Sequence, residues 1–276
     1  MAVIGYNSAA VNAAYYLNQN TSALNSSIQE LASGSRLANP ATDAAAVAVS
    51  GNMTAAIGQL GAASQGAQDV VSFAQTTDGY LSTIQQELTQ MSELAQSATN
   101  GSFGSSDLAN YNTEFTTLRD QIDSIASSAS FNGTSLFSTA SGAPSSISVA
   151  IDASGTTASF STASIGDTTS LGINAMTIGD ATSAAAAITA LNTAITSLTG
   201  QRATVNASIS AFNFYVQNIA TETTNLQSAN SSISDCDVAT ESTELAKDNI
   251  LVQASSSMLA QANSSQDALL SLLKGG

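Results

Sequence analysis

The chain has 276 residues, a net charge of −15 and five basic residues, which are Arg36, Arg119, Arg202, Lys247 and Lys274. Five scattered cations cannot build a basic patch, so nucleic acids and anionic membranes are poor partners for this chain. The chain contains no His, which removes the commonest general base and the commonest metal ligand. We therefore expect a protein that is not an enzyme and has no catalytic, metal or cofactor site.

Signals for membrane insertion and for a cleaved leader are not found in the sequence. No stretch reaches the ~18 consecutive apolar residues of a membrane span. Residues 1–16 lack the basic region and the unbroken apolar core of a secretory signal peptide. The single cysteine, Cys236, cannot form an internal disulfide, and we interpret it as a small buried thiol.

Apolar residues near the N-terminus recur at alternating spacings of three and four, which is typical of a narrow seam on a helix. This seam consists of Ala10, Ala14, Leu17, Thr21, Leu24, Ile28 and Leu31. Asn39-Pro40 ends the pattern, because proline cannot continue a helix and disfavours the helical region for the residue before it. Thr42 or Asp43 can cap the next helix.

Two more seams follow before the middle of the chain. The second consists of Val70, Ala74, Thr77, Leu81, Ile84, Leu88, Met91 and Ala95, and the third of Leu108, Tyr111, Phe115, Leu118, Ile122 and Ile125. Residues 100–104 separate them, and Ser105, Ser106 or Asp107 can cap the later helix. Phe131-Asn132-Gly133 then predicts a tight turn.

The hydrophobic period changes to two in the middle of the chain. Ile147, Val149 and Ile151 alternate with polar residues, residues 152–155 predict a turn, and Ala158 and Phe160 alternate again. This pattern predicts a β-hairpin, with a disordered linker as the alternative. Ser, Thr and Gly dominate from about 138 to 180, so we expect this region to be exposed and weakly constrained.

The last third of the chain returns to helical spacing. One long seam consists of Ile188, Leu191, Ile195, Leu198, Arg202, Val205, Ile209, Phe212, Val216, Ile219, Thr223, Leu226, Asn230 and Ile233, and a closing seam of Leu251, Ser255, Met258, Ala262, Ser265, Leu269 and Leu272. The first and last seams have similar lengths, so the two ends can pair antiparallel. We predict a mainly α fold, an elongated antiparallel helical bundle or coiled coil with a small β-hairpin region inserted in the middle.

Two groups of polar residues require a separate interpretation. Arg202 and Asn230 lie on the long seam, where a polar residue can fix the register of packed helices, although the Arg202 stem can also simply follow the seam. Acidic residues are densest at Asp235, Asp237, Glu241, Glu244 and Asp248. Because a helix begins there, we interpret them as groups that satisfy free N–H groups and the helix dipole rather than as a cation site.

Several blocks of the sequence resemble bacterial flagellin. They are SIQELASGSRL at residues 27–37, AQTTDGYL at 74–81, FNG at 131–133, ISDCDVATE at 233–241, ILVQA at 250–254, LAQAN at 259–263 and LLSLL at 269–273. The resemblance covers about residues 1–140 and 180–276, with the blocks in the order of the family. Cys236 stands where the family usually has a small residue such as alanine.

The resemblance implies two domains. Residues 1–42 and 237–276 are expected to form an inner coiled-coil core domain in which both termini pair, and residues 43–236 a helical rod domain with a β-hairpin segment at about 132–183. No large outer domain is expected. The polymerisation seam of the core domain is predicted to contain Ala10, Ala14, Leu17, Leu24, Ile28, Leu31, Leu251, Met258, Ala262, Leu269 and Leu272.

The resemblance also implies a function, a route and partners. The chain is expected to polymerise with itself into the helical flagellar filament that serves swimming motility. Export unfolded through the flagellar type III channel, without a cleaved signal peptide, would place it outside the cell. The expected partners are the flagellar cap protein, hook-associated proteins and an export chaperone. A hook-to-filament junction protein and a secreted coiled-coil adhesin or binding module are the alternatives.

One surface motif departs from the family pattern. Many flagellins carry an Arg-rich stretch, which vertebrate innate immunity recognises, directly before the positions of Glu93 and Leu94. This chain has residues 89–92, including Gln90, in its place. Glu93 and Leu94 match this receptor epitope, whereas the cations before them are missing. The resemblance therefore implies an epitope-like site that lacks its positive charge.

Overall fold

The computed structural model describes residues 7–137, 146–164 and 166–274. Within them the fold is mainly helical, with short antiparallel strands in the middle of the chain, as predicted. The elements are α1 Ser8–Ser33, α2 Ala44–Ala98, α3 Ser105–Ser128, β1 Ser130–Phe131, β2 Thr134–Ser135, β3 Ser146–Ala150, β4 Thr157–Ser161, α4 Ala181–Ser234 and α5 Val238–Lys274. Two compact units result: Met1–Ala55 with Asn225–Gly276, called the terminal unit below, and Ala56–Thr224, called the central unit.

Helices α2 and α3 begin at predicted cap residues. Asp43 caps α2, because its Oδ1 accepts a hydrogen bond of 2.9 Å from the Ala46 N–H. Asp107 closes the start of α3 by accepting from the Gly104 N–H at 3.2 Å. The α2 seam predicted from Val70 to Ala95 is buried at every position. The three-four alternation therefore identified the face of α2 that packs in the core.

The core of the central unit draws on α2, α3, α4 and the segment between β4 and α4. Phe115 of α3 and Leu191 of α4 are fully buried in it. Arg202 of α4 crosses to α2, where its guanidinium binds both carboxylate oxygens of Asp78 at 2.8 and 3.1 Å and the Gln85 side chain at 2.7 Å. Arg202 therefore fixes how α4 packs on α2, the first of the two roles that its position in the seam allowed.

The four strands form two antiparallel pairs, each joined at a predicted turn. β1 and β2 pair across Asn132 and Gly133, whose φ angles of 49° and 80° are those of a left-handed two-residue turn. β3 and β4 pair antiparallel, with Ile147 opposite Phe160. In the turn between them, hydrogen bonds from Thr156 and Ser154 lower the pKa of Asp152 to about 2.

Buried residues in β4 and in the segment between β4 and α4 contradict one prediction. We expected residues 138–180 to be exposed, but Phe160, Ile173 and Ile178 are fully buried. The Asp123 carboxylate accepts hydrogen bonds of 2.9 Å from both the N–H and the hydroxyl of Thr168. The prediction was wrong because an average over Ser, Thr and Gly concealed a few apolar residues that pack in the core. Residues 138–145 and 165 lie outside the described residues.

Candidate functional site

The terminal unit contains the two helices that the sequence analysis assigned to polymerisation. α1 and α5 lie side by side and run antiparallel. The Asn20 amide of α1 donates to Ser255 Oγ at 2.8 Å and to the Leu251 carbonyl at 3.4 Å. Nearer the tip, the Asn7 amide donates to the Ala262 carbonyl at 2.9 Å, while its Oδ1 caps α1 by accepting from the Ala10 N–H at 3.0 Å. The predicted pairing of the two ends is present within one chain.

The inward face of this pair combines aliphatic residues with small and polar side chains. The residues that are at least partly buried on it are Ala10, Ala13, Ala14, Leu17, Asn20, Leu24, Ser27 and Leu31 in α1, and Leu245, Asp248, Val252, Ser255, Leu259, Ala262 and Gln266 in α5. Ser27 and Asp248 are the most deeply buried of these, with 5% and 4% of their surface exposed.

Three residues of the predicted polymerisation seam do not lie on the inward face. Ile28, Leu251 and Met258 are exposed, Ile28 by 48% and Met258 by 65%. The seam followed the larger apolar residues, whereas polar residues such as Ser27 occupy the neighbouring inward positions.

The remaining seam residues stand differently. Ala10, Ala14, Leu17, Leu24, Leu31 and Ala262 lie on the inward face. Leu269 and Leu272 lie outside the described side chains. The role of the whole seam in polymerisation stays a prediction.

The terminal unit has no apolar core of its own among the described residues. Every buried apolar side chain of the described chain lies between Leu60 and Ile219, inside the central unit. Large apolar side chains of the terminal unit face outward instead. Those exposed by more than a third are Val11, Tyr15, Tyr16, Ile28, Val49, Val238, Ile250, Leu251 and Met258.

A groove of about 450 Å³ runs between α1 and α5, and Tyr16, Leu251 and Met258 are among its lining residues. None of the residues that line it is charged. The stretches on either side are also neutral, since residues 1–29 and 249–266 contain no Asp, Glu, Lys or Arg. In a chain with a net charge of −15, these two stretches form an uncharged part of the terminal pair.

Cys236 lies at the base of the pair, close to acidic side chains. Its sulfur and one carboxylate oxygen each of Glu30 and Glu241 lie within 4.8 Å of one another. Burial, together with the negative charges of Glu241, Glu30 and Asp237, raises the pKa of the Cys236 thiol. A raised pKa keeps the sulfur protonated at neutral pH, as expected for an unreactive thiol.

The acidic cluster at the start of α5 includes a helix cap, as interpreted from the sequence. Asp237 Oδ1 accepts from the Ala239 N–H at 3.0 Å, and Oδ2 accepts from the Thr240 hydroxyl at 3.0 Å. Hydrogen bonds from Thr240 and Ala239 lower the pKa of Asp237. Asn230, the second polar residue of the long seam, accepts from the Ser50 hydroxyl at 2.7 Å and so joins α4 to α2 within the terminal unit.

The epitope-like residues lie on the surface of α2. Gln90 and Glu93 are exposed and Leu94 is half-buried. Their recognition by a receptor stays a prediction. No helix among the described residues combines the length and the apolar character that a bilayer crossing requires.

Comparison with known proteins covers nearly the whole chain. A family model described as the bacterial flagellin N-terminal helical region matches residues 4–142, and one described as the C-terminal helical region matches residues 188–273. The flagellar filament 30.7 kDa core protein of Treponema maltophilum is 34% identical, over 98% of this chain and 99% of that protein. A flagellin of Listeria monocytogenes is 31% identical, over 94% of each. The crystal structure of Bacillus cereus flagellin superposes with a TM-score of 0.50 at 32% identity, covering 60% of this chain and 94% of that one.

Proposed function

The chain belongs to the bacterial flagellin family, a family of structural proteins, and is a filament subunit that serves motility; on that premise we propose that its terminal helix pair is the surface through which copies polymerise. The observation that carries this proposal is the lack of buried apolar side chains in the described part of the terminal unit. Outward-facing residues such as Tyr16 and Met258 can be removed from water only by a neighbouring molecule.

The proposal extends to the domain organisation. Residues 1–42 and 237–276 would form the inner core domain of the filament, and residues 43–236 the rod domain around it. The central unit supports this division, because its core contains large, fully buried side chains such as Phe115 and Leu191 and can be stable in a single chain. The terminal helices would become ordered when a subunit joins the filament end.

The partners and the route to the filament follow from the same premise. We infer that the chain is exported unfolded through the flagellar channel without a cleaved signal peptide, and that the filament lies outside the cell. A flagellar cap protein, hook-associated proteins and an export chaperone would act on it before and during assembly. Uncharged stretches at both ends, residues 1–29 and 249–266, suit a chaperone, because they would otherwise associate before export.

A polymerisation experiment with two exposed aromatic residues tests the proposal. Tyr16 in the terminal unit and Phe214 in the central unit are exposed by 58% and 59%. Full-length protein is incubated with short filament seeds under precipitating salt. The critical concentration is measured by sedimentation, and the product is imaged by electron microscopy.

Tyr16→Ser should raise the critical concentration by roughly ten- to a hundredfold, since burying a large side chain is worth about 1.5–3 kcal/mol. Phe214→Ser serves as the matched control and should change it by about twofold or less. Equal effects of the two substitutions, or no filaments from the unmodified protein, would contradict the proposal.

A further inference from the structure

A short contact at the base of the terminal helix pair joins the two halves of the chain. We call it the clasp, and it consists of residues 34–36 and 233–236. The Arg36 N–H donates to the Ser234 carbonyl at 2.8 Å, and the Cys236 N–H donates to the Gly34 carbonyl at 3.0 Å. Ser35 and Asp235 form the antiparallel bridge between these two bonds.

Side chains reinforce the clasp. The Arg36 guanidinium donates to the Ile233 carbonyl at 2.9 Å, and the Ser35 hydroxyl donates to the Ser234 carbonyl at 3.1 Å. The chain can turn into the clasp because Gly34 ends α1 with a φ of 69°, a left-handed conformation that favours glycine. The clasp therefore lies directly where α1 ends and just before α5 begins.

The apolar residues of the helices beyond the clasp do not specify a single register. The larger inward residues of α1 are leucines spaced by seven, and α5 repeats similar residues at the same spacing. They are Leu17, Leu24 and Leu31 in α1, and Leu245, Val252 and Leu259 in α5. A slip of one heptad would move the helices by about 10 Å and again place aliphatic side chains against aliphatic side chains. Apolar packing alone therefore separates the two registers only weakly.

The polar contacts along the pair agree with the register that the clasp sets. Asn20 and its partner Leu251 are separated from the bridge by nearly equal lengths of chain. Asn20 precedes Ser35 by about the same number of residues as Leu251 follows Asp235. The same holds for Asn7 and its partner Ala262. The clasp holds this register with two backbone hydrogen bonds, which a heptad slip would break together.

We propose that Gly34, Arg36 and the Cys236 backbone N–H are positioning residues that set the register of α1 against α5, so that only one of several heptad-related pairings forms in the filament. The proposal rests on the proposed function, because the pair is expected to order during polymerisation. Each contact that forms beyond the clasp then closes only a short loop, which favours pairing from the clasp outward.

The test measures a distance across the pair in assembled filaments. Spin labels are attached at Ser22→Cys and Asn249→Cys, two exposed positions on neighbouring helices, in a Cys236→Ala background. Labelled subunits are diluted with excess unlabelled protein, and the distribution of distances between the two labels is recorded by pulsed electron paramagnetic resonance. Cys236→Ala keeps the backbone N–H and is the matched control for Cys236→Pro, which removes it.

The control should give one distance, and Cys236→Pro should add a population displaced by about 10 Å. Arg36→Ala in the Cys236→Ala background should shift part of the distance distribution in the same way. If Cys236→Pro does not polymerise, the Arg36→Ala result alone tests the proposal. Asn20→Ala should leave the distance unchanged.

One unchanged distance in every clasp variant that polymerises would overturn the clasp proposal, as would a slip caused by Asn20→Ala alone. Failure of the proposed function gives a different result. In that case the control itself would show no short distance in the filament, or would form no filament.

Discussion

Leu24 offers the sharpest test of the inward face of the terminal pair. It is half-buried on α1, one helical turn after Asn20 and three residues before the buried Ser27. The antiparallel register directs it toward the part of α5 that contains Asp248, which is 4% exposed. Leu24→Asp would place a second carboxylate in this interior.

The expected effect combines two losses. Removing a half-buried leucine forfeits about 1 kcal/mol of apolar burial. Partly burying a new carboxylate, on the side of an existing one, costs about 2 kcal/mol or more. A total of about 3 kcal/mol for each added subunit corresponds to a critical concentration about a hundredfold higher.

Sedimentation of seeded polymerisation measures this concentration directly. Leu24→Asn introduces a side chain of nearly the same shape as aspartate but without its charge. Its critical concentration should lie between those of Leu24→Asp and the unmodified protein. Thermal unfolding of the central unit, followed by circular dichroism, should be unchanged, because Leu24 lies outside it. A critical concentration within a factor of about two of the unmodified protein would refute the reasoning.

Three further predictions concern other parts of the molecule. Gly66→Ala should destabilise the central unit, because the new Cβ would lie 2.8 Å from a side-chain carbon of β3. Gly79→Ala in the same helix places its Cβ where no atom lies within 4 Å, so it should stabilise the unit by up to about 1 kcal/mol, and urea unfolding compares the two variants. Arg202→Ala should lower the free energy of unfolding by about 1–3 kcal/mol, since it leaves the half-buried Asp78 without its cation, and an unchanged urea midpoint would argue against that contact. Alkylation of Cys236 should show a pH midpoint above the ordinary 9.0 in the native protein and near it in urea; identical midpoints would contradict the raised pKa.

The sequence was sufficient to predict an element whose packing face is apolar throughout and an element whose partner is close in the chain. The α2 seam has apolar residues or Thr77 at each buried position, so its spacing alone identified the face. The β3–β4 hairpin was equally visible, because alternation and the Asp152 turn occur within sixteen residues, Ser146–Ser161. In both cases the local pattern and the tertiary contact agree.

The predictions failed where long-range polar contacts decide which residues are inside. Thr168 is buried by a hydrogen bond to Asp123, which lies 45 residues away, and no local pattern signals that pairing. In the terminal pair, Asn20 and Ser255 face inward because they form a hydrogen bond with each other. The predicted seams include Ser255 but leave out Asn20. The clasp was also missed, since it is formed by backbone groups, and side-chain patterns do not report those.

The exposed apolar residues of the terminal unit extend what the seam suggested. Leucines together with small and polar side chains hold α1 and α5 together, while other large residues such as Tyr16 and Met258 stay exposed. This division suits a helix pair that must bind neighbouring subunits while α1 and α5 of the same chain stay paired. We therefore expect the inward face to pair the two ends of one chain and the outward face to form the contacts between subunits of the filament.

Backbone amide exchange, compared between monomer and filament, shows whether polymerisation orders the terminal helices. We expect rapid exchange in monomers at both terminal helices, with slow exchange of the α2 and α4 amides in the central unit. In filaments the terminal helices should become protected, by several orders of magnitude for amides near Ser27 and Asp248. Equal protection of the terminal helices in monomer and filament would contradict the claim that polymerisation orders them.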